Sequence, residues 1–583
     1  MAGVGGPQPL SRVVDSSGPD GWAAMTDRPA TVLATFLRWE QEQPDKVFLT
    51  QPHPDGRVVD TTWAEAGDQA RRLAAYLRSL QFPPGSRIAL LGRNSAHWII
   101  SDIAIMMAGH VSVPIYATMG AEQARYILDH SESKLLLVGK LDGTADNWPN
   151  IEKALPDDLP LLALPMSPRR DIPQWDDAIA GHEPLSHIHD GQPDELSSIM
   201  YTSGSTGKPK GVMHSYGAMQ AICPAMIQVI GGGSPQDRAV SYLPLAHVAE
   251  RAFVHCLLYV GGRIYFCNNL STFAEDLRRA RPTLFFSVPR LWTKFRLAVN
   301  AKLPAHKQRL LFALPLVSHV VKRKILRELG LDHARICFTG SAPLSPEIVA
   351  WYRSLGLEML EGYGMTEAYI THCSTPGHAR PGYVGTCTPG AQARIDGNGE
   401  ILIKSPSQMM GYYKDPELTS RVTSADGFFL TGDRGELDAE GRLRITGRTK
   451  ELFKTERGEY VAPAPIENLL GAHPRLEGVC VTGANHPRPF ALLMLSADTQ
   501  QAISDTTLAR ADLEAELGTL VNHVNATLAN HEKLSCVVVT RQPWTVENGM
   551  LTPTLKIKRE AIESRYLPGA DAWLATERAV VWE

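Results

Sequence analysis

Hydrophobic positions along this chain switch repeatedly between helical and strand spacing. Thr62 and Glu65 stand three apart, the spacing of a capping box that satisfies the first backbone amides of a helix. Ala66, Ala70, Leu73, Leu77 and Leu80 then recur at helical intervals, and Pro83-Pro84-Gly85 closes the segment. Short apolar runs at 88–91, 111–116 and 135–138 alternate with helical patterns near 96–108 and 121–130. Strand and helix in this rhythm predict right-handed βαβ units around a buried parallel sheet.

The texture changes after about residue 380. Glycine-marked turns at Asp396-Gly397-Asn398-Gly399 and Glu440-Gly441 separate short alternating runs at 401–404 and 443–446, the pattern of antiparallel hairpins. Beyond Gly447 the chain reads as a compact α+β unit, with apolar runs at 478–481, 491–495 and 536–540 and helical stretches near 466–470 and 508–528. The expected fold is therefore α/β: a large N-terminal domain of βαβ-built sheets over 30–447, β-rich from about 380, then a small α+β domain over 448–583. Pro7, Pro9, Ser16, Ser17, Gly18, Pro19 and Gly21 make residues 1–29 read as a disordered leader, with Met25 a second conceivable start.

Composition narrows the function by exclusion. The 583 residues exceed what one core organises, and 44% hydrophobic with 21% charged residues is ordinary for a globular protein. A formal net charge of −4 gives no basic surface for nucleic acid. Eight cysteines without a C-x-x-C pair fit a reducing, cytoplasmic setting better than a disulfide framework or a zinc site. No signal peptide is legible, and the apolar stretch 98–109 is too short to span a bilayer and carries Asp102.

The chemistry begins at residue 202. An apolar run at 197–201 leads into Thr202-Ser203-Gly204-Ser205-Thr206-Gly207-Lys208-Pro209-Lys210-Gly211, and a helix is expected to follow. Three glycines permit close approach to phosphate oxygens, four hydroxyls donate to them, and two lysines neutralise them. A flexible linker is the alternative, but linkers seldom follow an apolar strand while carrying paired lysines. Proline after Lys208 excludes a Walker loop. The ten-residue string resembles the signature loop of the adenylate-forming superfamily, which includes acyl-CoA synthetases, peptide-synthetase adenylation domains and luciferases. There the loop holds the β- and γ-phosphates of ATP. Further motifs follow in the family's order, so the resemblance covers roughly residues 30 to 560.

Glu361-Gly362-Tyr363-Gly364-Met365-Thr366-Glu367 offers a ring to stack on a base, glycines for close approach and a carboxylate for Mg²⁺. The resemblance implies that Tyr363 lies against adenine, Thr366 touches the α-phosphate, and Glu367 holds Mg²⁺ with Thr202. It implies a second adenine wall at Gly340-Ser341-Ala342-Pro343 and a ribose contact at Asp433. Leu243-Pro244-Leu245-Ala246-His247 resembles the motif that sets a ring beside the bound carboxylate, although a lone His is more often a satisfied core residue. The apolar run 252–260 with Phe285, Phe286 and Trp292 reads equally as a lipid tunnel or as core.

Adenylation needs a cation where charge grows on the α-phosphate and the departing pyrophosphate. The stretch 547–559 resembles the family's final motif in its long-chain form, and its K-I-x-R ending makes Lys556 the catalytic lysine. Leu555 replaces the glycine most members carry there. Gly447-Arg448-Thr449-Lys450-Glu451 resembles the interdomain hinge, with Arg448 on the nucleotide and Lys450 as pivot. In one pose Lys556 reaches the α-phosphate; in the other the segment 454–463 guides a thiol in. That segment departs from the family. Long-chain members show a glycine pair followed by Glu-Asn, whereas here Arg457 precedes Gly458-Glu459 and Tyr460 follows.

The resemblance implies ATP-dependent, Mg²⁺-assisted activation of a medium- or long-chain fatty acid and transfer to CoA. The altered residues Arg457, Gly458 and Glu459 keep open a separate carrier protein as acceptor, and a non-catalytic acyl- or nucleotide-binding protein is the third reading. Residues 307–329 combine leucines with Lys307, Arg309, Lys322, Arg323, Lys324 and Arg327. Such a segment packs on its own protein more often than on anionic lipid, and Pro315 interrupts it.

Overall fold

A computed structural model describes residues 14–15, 31–141, 146–203, 208–342, 344–546, 548–552 and 556–583. The capping box forms as expected: Thr62 Oγ1 accepts from the Glu65 amide, and the Glu65 carboxylate accepts from the Thr62 amide at 2.8 Å. The helix it opens, Trp63–Ser79, buries Ala66, Ala70, Leu73 and Leu77 along one stripe. Strands Arg87–Leu91, Val111–Ile115 and Leu135–Val138 alternate with helices Ala96–Ala108 and Ala121–Ser131. They build the centre of a seven-stranded sheet ordered Gly411–Tyr412, Pro209–Ser215, Leu196–Ser203, Val111–Ile115, Arg87–Leu91, Leu135–Val138 and Leu161–Ala163. The last five of these pair in parallel, and their continuous apolar runs follow from burial on both faces.

A second sheet joins Arg238–Ser241, Arg263–Phe266, Val47–Pro52 and Val58–Thr62. A third runs Leu284–Ser287, Ile336–Thr339, Met359–Met365, Tyr369–Cys373 and Thr386–Cys387. The glycine turns after residue 380 do close antiparallel hairpins, giving Gln392–Ile395, Glu400–Lys404, Phe429–Leu437 and Leu443–Arg448. The expected leader is corrected at one point. Val14–Asp15 adds an edge strand here, paired antiparallel with Gln392 and Ala393. Two residues are too few to carry a periodicity, so hydrophobic pattern could not reveal this strand.

The small C-terminal domain packs helices Pro463–Gly471 and Arg510–Thr527 on a four-stranded sheet. Its order is Leu476–Thr482, Phe490–Leu495, Val537–Val539 and Val580–Trp582. Leu513, Leu517, Val521 and Val524 form the buried stripe of the longer helix. Among the described residues no helix is long and apolar enough to cross a membrane.

One buried ion pair ties the large domain together. Asp102, on helix Ala96–Ala108, accepts from Arg251 Nη2 through both carboxylate oxygens at 2.7 Å. Arg251 sits on helix Val248–Tyr259, is fully buried, and donates through Nη1 to Ser198 Oγ at 3.1 Å. Ser198 belongs to Leu196–Ser203, the strand that leads into the candidate phosphate loop. A single guanidinium thus joins two helices to that strand.

Burial also keeps several groups neutral. It pushes His97 down to about 4 and His214, His247 and His372 down to about 3. In the unfolded chain each binds a proton near pH 6.5, so below that pH the unfolded state holds more protons and stability falls with pH. Glu250 and Glu361 act oppositely, since burial raises them to about 8 and about 7. Between their unfolded value and pH 6.5 the native state keeps those two protons, but four imidazoles outweigh two carboxyls. Stability should therefore drop from pH 6.5 to 4.5, these six groups alone giving about 3 kcal/mol per pH unit from two net protons at about 1.4 each. His255, held well below its ordinary value by burial, adds to the loss. Urea midpoints at stepped pH check this; a midpoint that stays level or rises on acidification contradicts it.

Candidate active site

The candidate phosphate loop, 202–211, begins and ends on two paired strands. Leu196–Ser203 comes up beside Val111–Ile115, and Pro209–Ser215 returns antiparallel with Thr202 opposite Lys210 and Ser203 opposite Pro209. The expectation that the loop runs straight into a helix is corrected here: helix Tyr216–Val229 starts only after the second strand, where Ser215 Oγ accepts from the Ala218 amide. Pro209 has no N–H to lose, which suits a first strand residue, and the run behind it is too short to display a clear alternation. Gly204, Ser205, Thr206 and Gly207, with the side chain of Ser203, lie outside the described residues. The flanking lysines are ordered against aromatic rings: Lys208 Nζ is 5.8 Å from the Tyr126 ring and Lys210 Nζ is 5.6 Å from the Tyr412 ring. The Tyr412 hydroxyl donates to Glu367 Oε1 at 2.8 Å. Cation and carboxylate converge beside the loop.

The two proposed adenine walls come from neighbouring parallel strands. Ile336–Thr339 pairs with Met359–Met365, with Thr339 opposite Glu361. Their C-terminal ends release Gly340-Ser341-Ala342 and Thr366-Glu367, the end at which open α/β sheets bind ligands. Pro343 lies outside the described residues. Ser341 takes φ +67°, a conformation costly for a residue with Cβ and typical of functional turns. Glycine is required at 364, where a Cβ would come within 2.1 Å of the Tyr369 carbonyl oxygen. At Gly340 a Cβ would sit 3.3 Å from the Gly362 oxygen, so the two segments touch backbone to backbone.

Asp433 and Arg448 face each other across strands Phe429–Leu437 and Leu443–Arg448. Arg448 Nε donates to Asp433 Oδ1 at 3.0 Å, and the Tyr363 hydroxyl donates to Asp433 Oδ2 at 2.7 Å. Three residues from separate motifs thus form one hydrogen-bonded cluster. Glu361 and Tyr363 are buried on the same strand, with Gly362 and Met365 partly covered.

His247 caps helix Val248–Tyr259 at its N-terminus, its Nδ1 accepting from the Ala249 amide at 3.2 Å. Burial first, and the charge of Lys556 second, hold the imidazole neutral. A neutral ring that accepts at Nδ1 carries its proton on Nε2 and is a donor there. Sequence reasoning missed what holds this loop. Asn94 Oδ1 accepts from the Leu245 amide at 3.1 Å, and Asn94 Nδ2 donates to the Leu243 oxygen at 2.6 Å. Glu250 Oε1 accepts from the Tyr242 amide at 3.1 Å and from Ser241 Oγ at 2.7 Å. Asn94 stands about 150 residues away from the motif it braces, and no local pattern marks it.

The aromatic residues left open between tunnel and core now divide. Phe285 and Trp292 are fully buried, Trp292 donating to the Phe338 oxygen at 3.3 Å and packing on Tyr352; they are core. Phe286 instead meets Phe253, whose ring also meets Phe338, and the three are less fully covered.

The small domain brings Lys556 to this cleft. The Thr552 amide donates to the Lys556 oxygen at 2.8 Å and the Lys556 amide to Thr552 Oγ1 at 3.1 Å. Residues 553–555 lie outside the description. Arg559 anchors the segment through Glu467 at 2.7 Å and the Val481 oxygen at 2.7 Å. The Lys556 ammonium keeps solvent contact inside the cleft, yet the surrounding walls desolvate it and depress its pKa. Arg448 lowers it further, partly offset by Asp433 and Glu451. Lys556, His247, Asp433 and Arg448 therefore share one electrostatic environment. Arg290 of the large domain also pairs with Glu477 of the small one.

Lys450 lies in the exposed turn after Leu443–Arg448. Arg457, Gly458 and Glu459 form the exposed tip of a hairpin between Phe453–Lys454 and Tyr460–Val461, with Gly458 at φ +85°. Glu459 pairs with His531 at 3.2 Å, and the Glu456 amide donates to the His486 oxygen, so the tip rests on its own domain.

Two family models match the chain. A family described as AMP-binding enzyme matches residues 36–413, and one described as AMP-binding enzyme C-terminal domain matches 451–575. The chain belongs to the AMP-binding enzyme family. A family relative, long-chain-fatty-acid–CoA ligase FadD15 of Mycobacterium bovis, is 29% identical over 93% of this chain and 96% of its own. Among solved AMP-binding structures, the adenylation domain of a Mycobacterium chelonae carboxylate reductase superposes with a TM-score of 0.76 at 24% identity, covering 95% of this chain and 92% of that one. ATP-bound MatB of Rhodopseudomonas palustris superposes with a TM-score of 0.71 at 23% identity, covering 92% and 99%.

Proposed function

We propose that this chain is an AMP-forming acid–thiol ligase acting on a medium- or long-chain fatty acid, with CoA as the thiol. Its support is the meeting of Lys556, carried by the small domain, with the Tyr363–Asp433–Arg448 cluster and His247 of the large one. A carboxylate oxygen of the acid attacks the α-phosphorus of ATP, and the bond from that phosphorus to the pyrophosphate oxygen breaks. A fatty acid is already ionised at neutral pH, so no base is needed; the neutral His247 donates from Nε2 and orients the carboxylate. Residues 202–211 hold the β- and γ-phosphates, with Lys208 and Lys210 taking up charge. Gly340–Pro343 and Glu361–Met365 flank the adenine. Thr366 contacts the α-phosphate, Asp433 accepts from the ribose hydroxyls, and Lys556 neutralises the charge that builds at phosphorus.

Glu367 suits a magnesium ion, offering a half-buried carboxylate oriented by Tyr412 beside the phosphate loop. With Thr202 it would hold the ion, which would supply positive charge against the phosphates. In the second half-reaction the small domain pivots at Lys450, Lys556 withdraws, and the 457–459 tip comes to the cleft. The thiol sulfur then attacks the acyl carbonyl, loses its proton and expels AMP. The eight free cysteines suit a reducing, cytoplasmic compartment.

A second acceptor has one observation in its favour: Arg457 and the exposed Tyr460 alter the thiol-guiding tip, which fits a carrier protein's pantetheine arm. Incubation with ATP, Mg²⁺ and fatty acids of graded length, with and without CoA, separates the readings. Acyl-CoA and AMP in equal amounts are expected. Acyl-AMP and pyrophosphate without any CoA ester would favour the carrier protein, and ADP formation would sink both.

A further inference from the structure

Among the described residues eleven large apolar side chains are exposed, and five of them crowd into positions 310–320: Leu310, Leu314, Leu316, Val317 and Val320. They lie on a helical hairpin, Ala305–Phe312 and Pro315–Glu328, in which Pro315 starts the second helix instead of breaking one. The inner face is accounted for. Gln308 donates to Asn300 and the Leu303 oxygen and accepts from Trp351, while Phe312, Val321 and Leu326 pack on the core around Trp292. The outer five add nothing to that core, and Leu316 is 87% exposed.

Charge on the hairpin is one-sided. Lys307, Arg309, Lys322, Arg323, Lys324 and Arg327 face a single carboxylate, Glu328, in a chain whose net charge is −4. Elsewhere on the surface arginines pair with acids, as Arg72 does with Asp68 and Arg125 with Asp129. The six hairpin cations form no ion pair among the described residues. The apolar side chains cluster around the turn, and Arg323, Lys324 and Arg327 follow one to two helical turns further along.

We propose that this hairpin docks the protein on an anionic lipid bilayer, its turn entering the interface and its cations meeting lipid phosphates. A protruding apolar turn on a cationic shaft fits a soft charged surface, whereas a protein partner would need a pocket shaped to it. The inference stands apart from the ligase reading, because none of the residues placed in the cleft lies on the hairpin.

Flotation of the full-length protein with vesicles tests it. Binding is expected to vesicles of equal parts phosphatidylglycerol and phosphatidylcholine, weak binding to phosphatidylcholine alone, and loss of binding as salt rises. Leu316→Glu with Val320→Glu, and separately Arg323→Glu with Lys324→Glu, should each weaken anionic-vesicle binding by about tenfold or more. Their thermal midpoints should stay unchanged, since every substituted side chain is exposed or nearly so. Wild-type protein that fails to float with anionic vesicles overturns the proposal. So does binding indifferent to both pairs of substitutions, or an apolar variant that abolishes self-association and leaves vesicle binding intact.

Discussion

Replacing Lys556 by alanine should slow acyl-adenylate formation by about 10²- to 10³-fold, the usual consequence of losing one charge partner in a transition state. That factor corresponds to roughly 3–4 kcal/mol, a size that an ammonium reaches only in a cleft that has shed much of its water. The walls around Lys556 already lower its pKa by desolvation, although its side chain keeps solvent contact in this structure, so the full factor needs substrates to fill the cleft. The substitution should spare the thioester step, because the acyl carbonyl needs no cation from this lysine once pyrophosphate has gone. Supplying acyl-AMP and CoA to the variant isolates that step. Equal loss in both half-reactions would mean that Lys556 supports the fold, not the chemistry.

Arg251→Met should be the most destabilising substitution away from the cleft, by about 3–5 kcal/mol, because it strands the Asp102 carboxylate in the interior. The pair itself adds little beyond what apolar packing would, so Asp102→Leu added to Arg251→Met should recover a large part of the loss. Urea midpoints of the two single variants and the double variant give the coupling directly. Additive losses would show that the two side chains act independently and that the 2.7 Å contact carries no weight. Arg251 also bonds Ser198, so the single variant should loosen the strand entering the phosphate loop before the whole domain unfolds.

Local chemistry was legible in this sequence wherever a few adjacent residues suffice. The Thr62–Glu65 box, the glycine turns at 396–399 and 440–441, and the buried stripe of 510–527 all follow from neighbours three or four apart. Family resemblance carried the candidate site further, since Tyr363, Asp433 and Arg448 come from three motifs and meet at one carboxylate. What lay beyond reach depends on distant partners. Asn94 bracing the loop before His247, Tyr412 orienting Glu367, and Arg251 clasping Asp102 bridge separations that no periodicity spans. The hairpin at 196–215 was misread for a related reason: Pro209–Ser215 is a strand because Leu196–Ser203 lies beside it, and pairing of that kind is not written in seven residues.

The central claim is that an acid displaces pyrophosphate from ATP within this cleft. Supplying a fatty acid whose carboxylate carries heavy oxygen, then weighing the AMP released, tests it most directly. One labelled oxygen should appear on the AMP phosphate for each acyl group transferred. Unlabelled AMP, or label in inorganic phosphate beside ADP, would contradict the account.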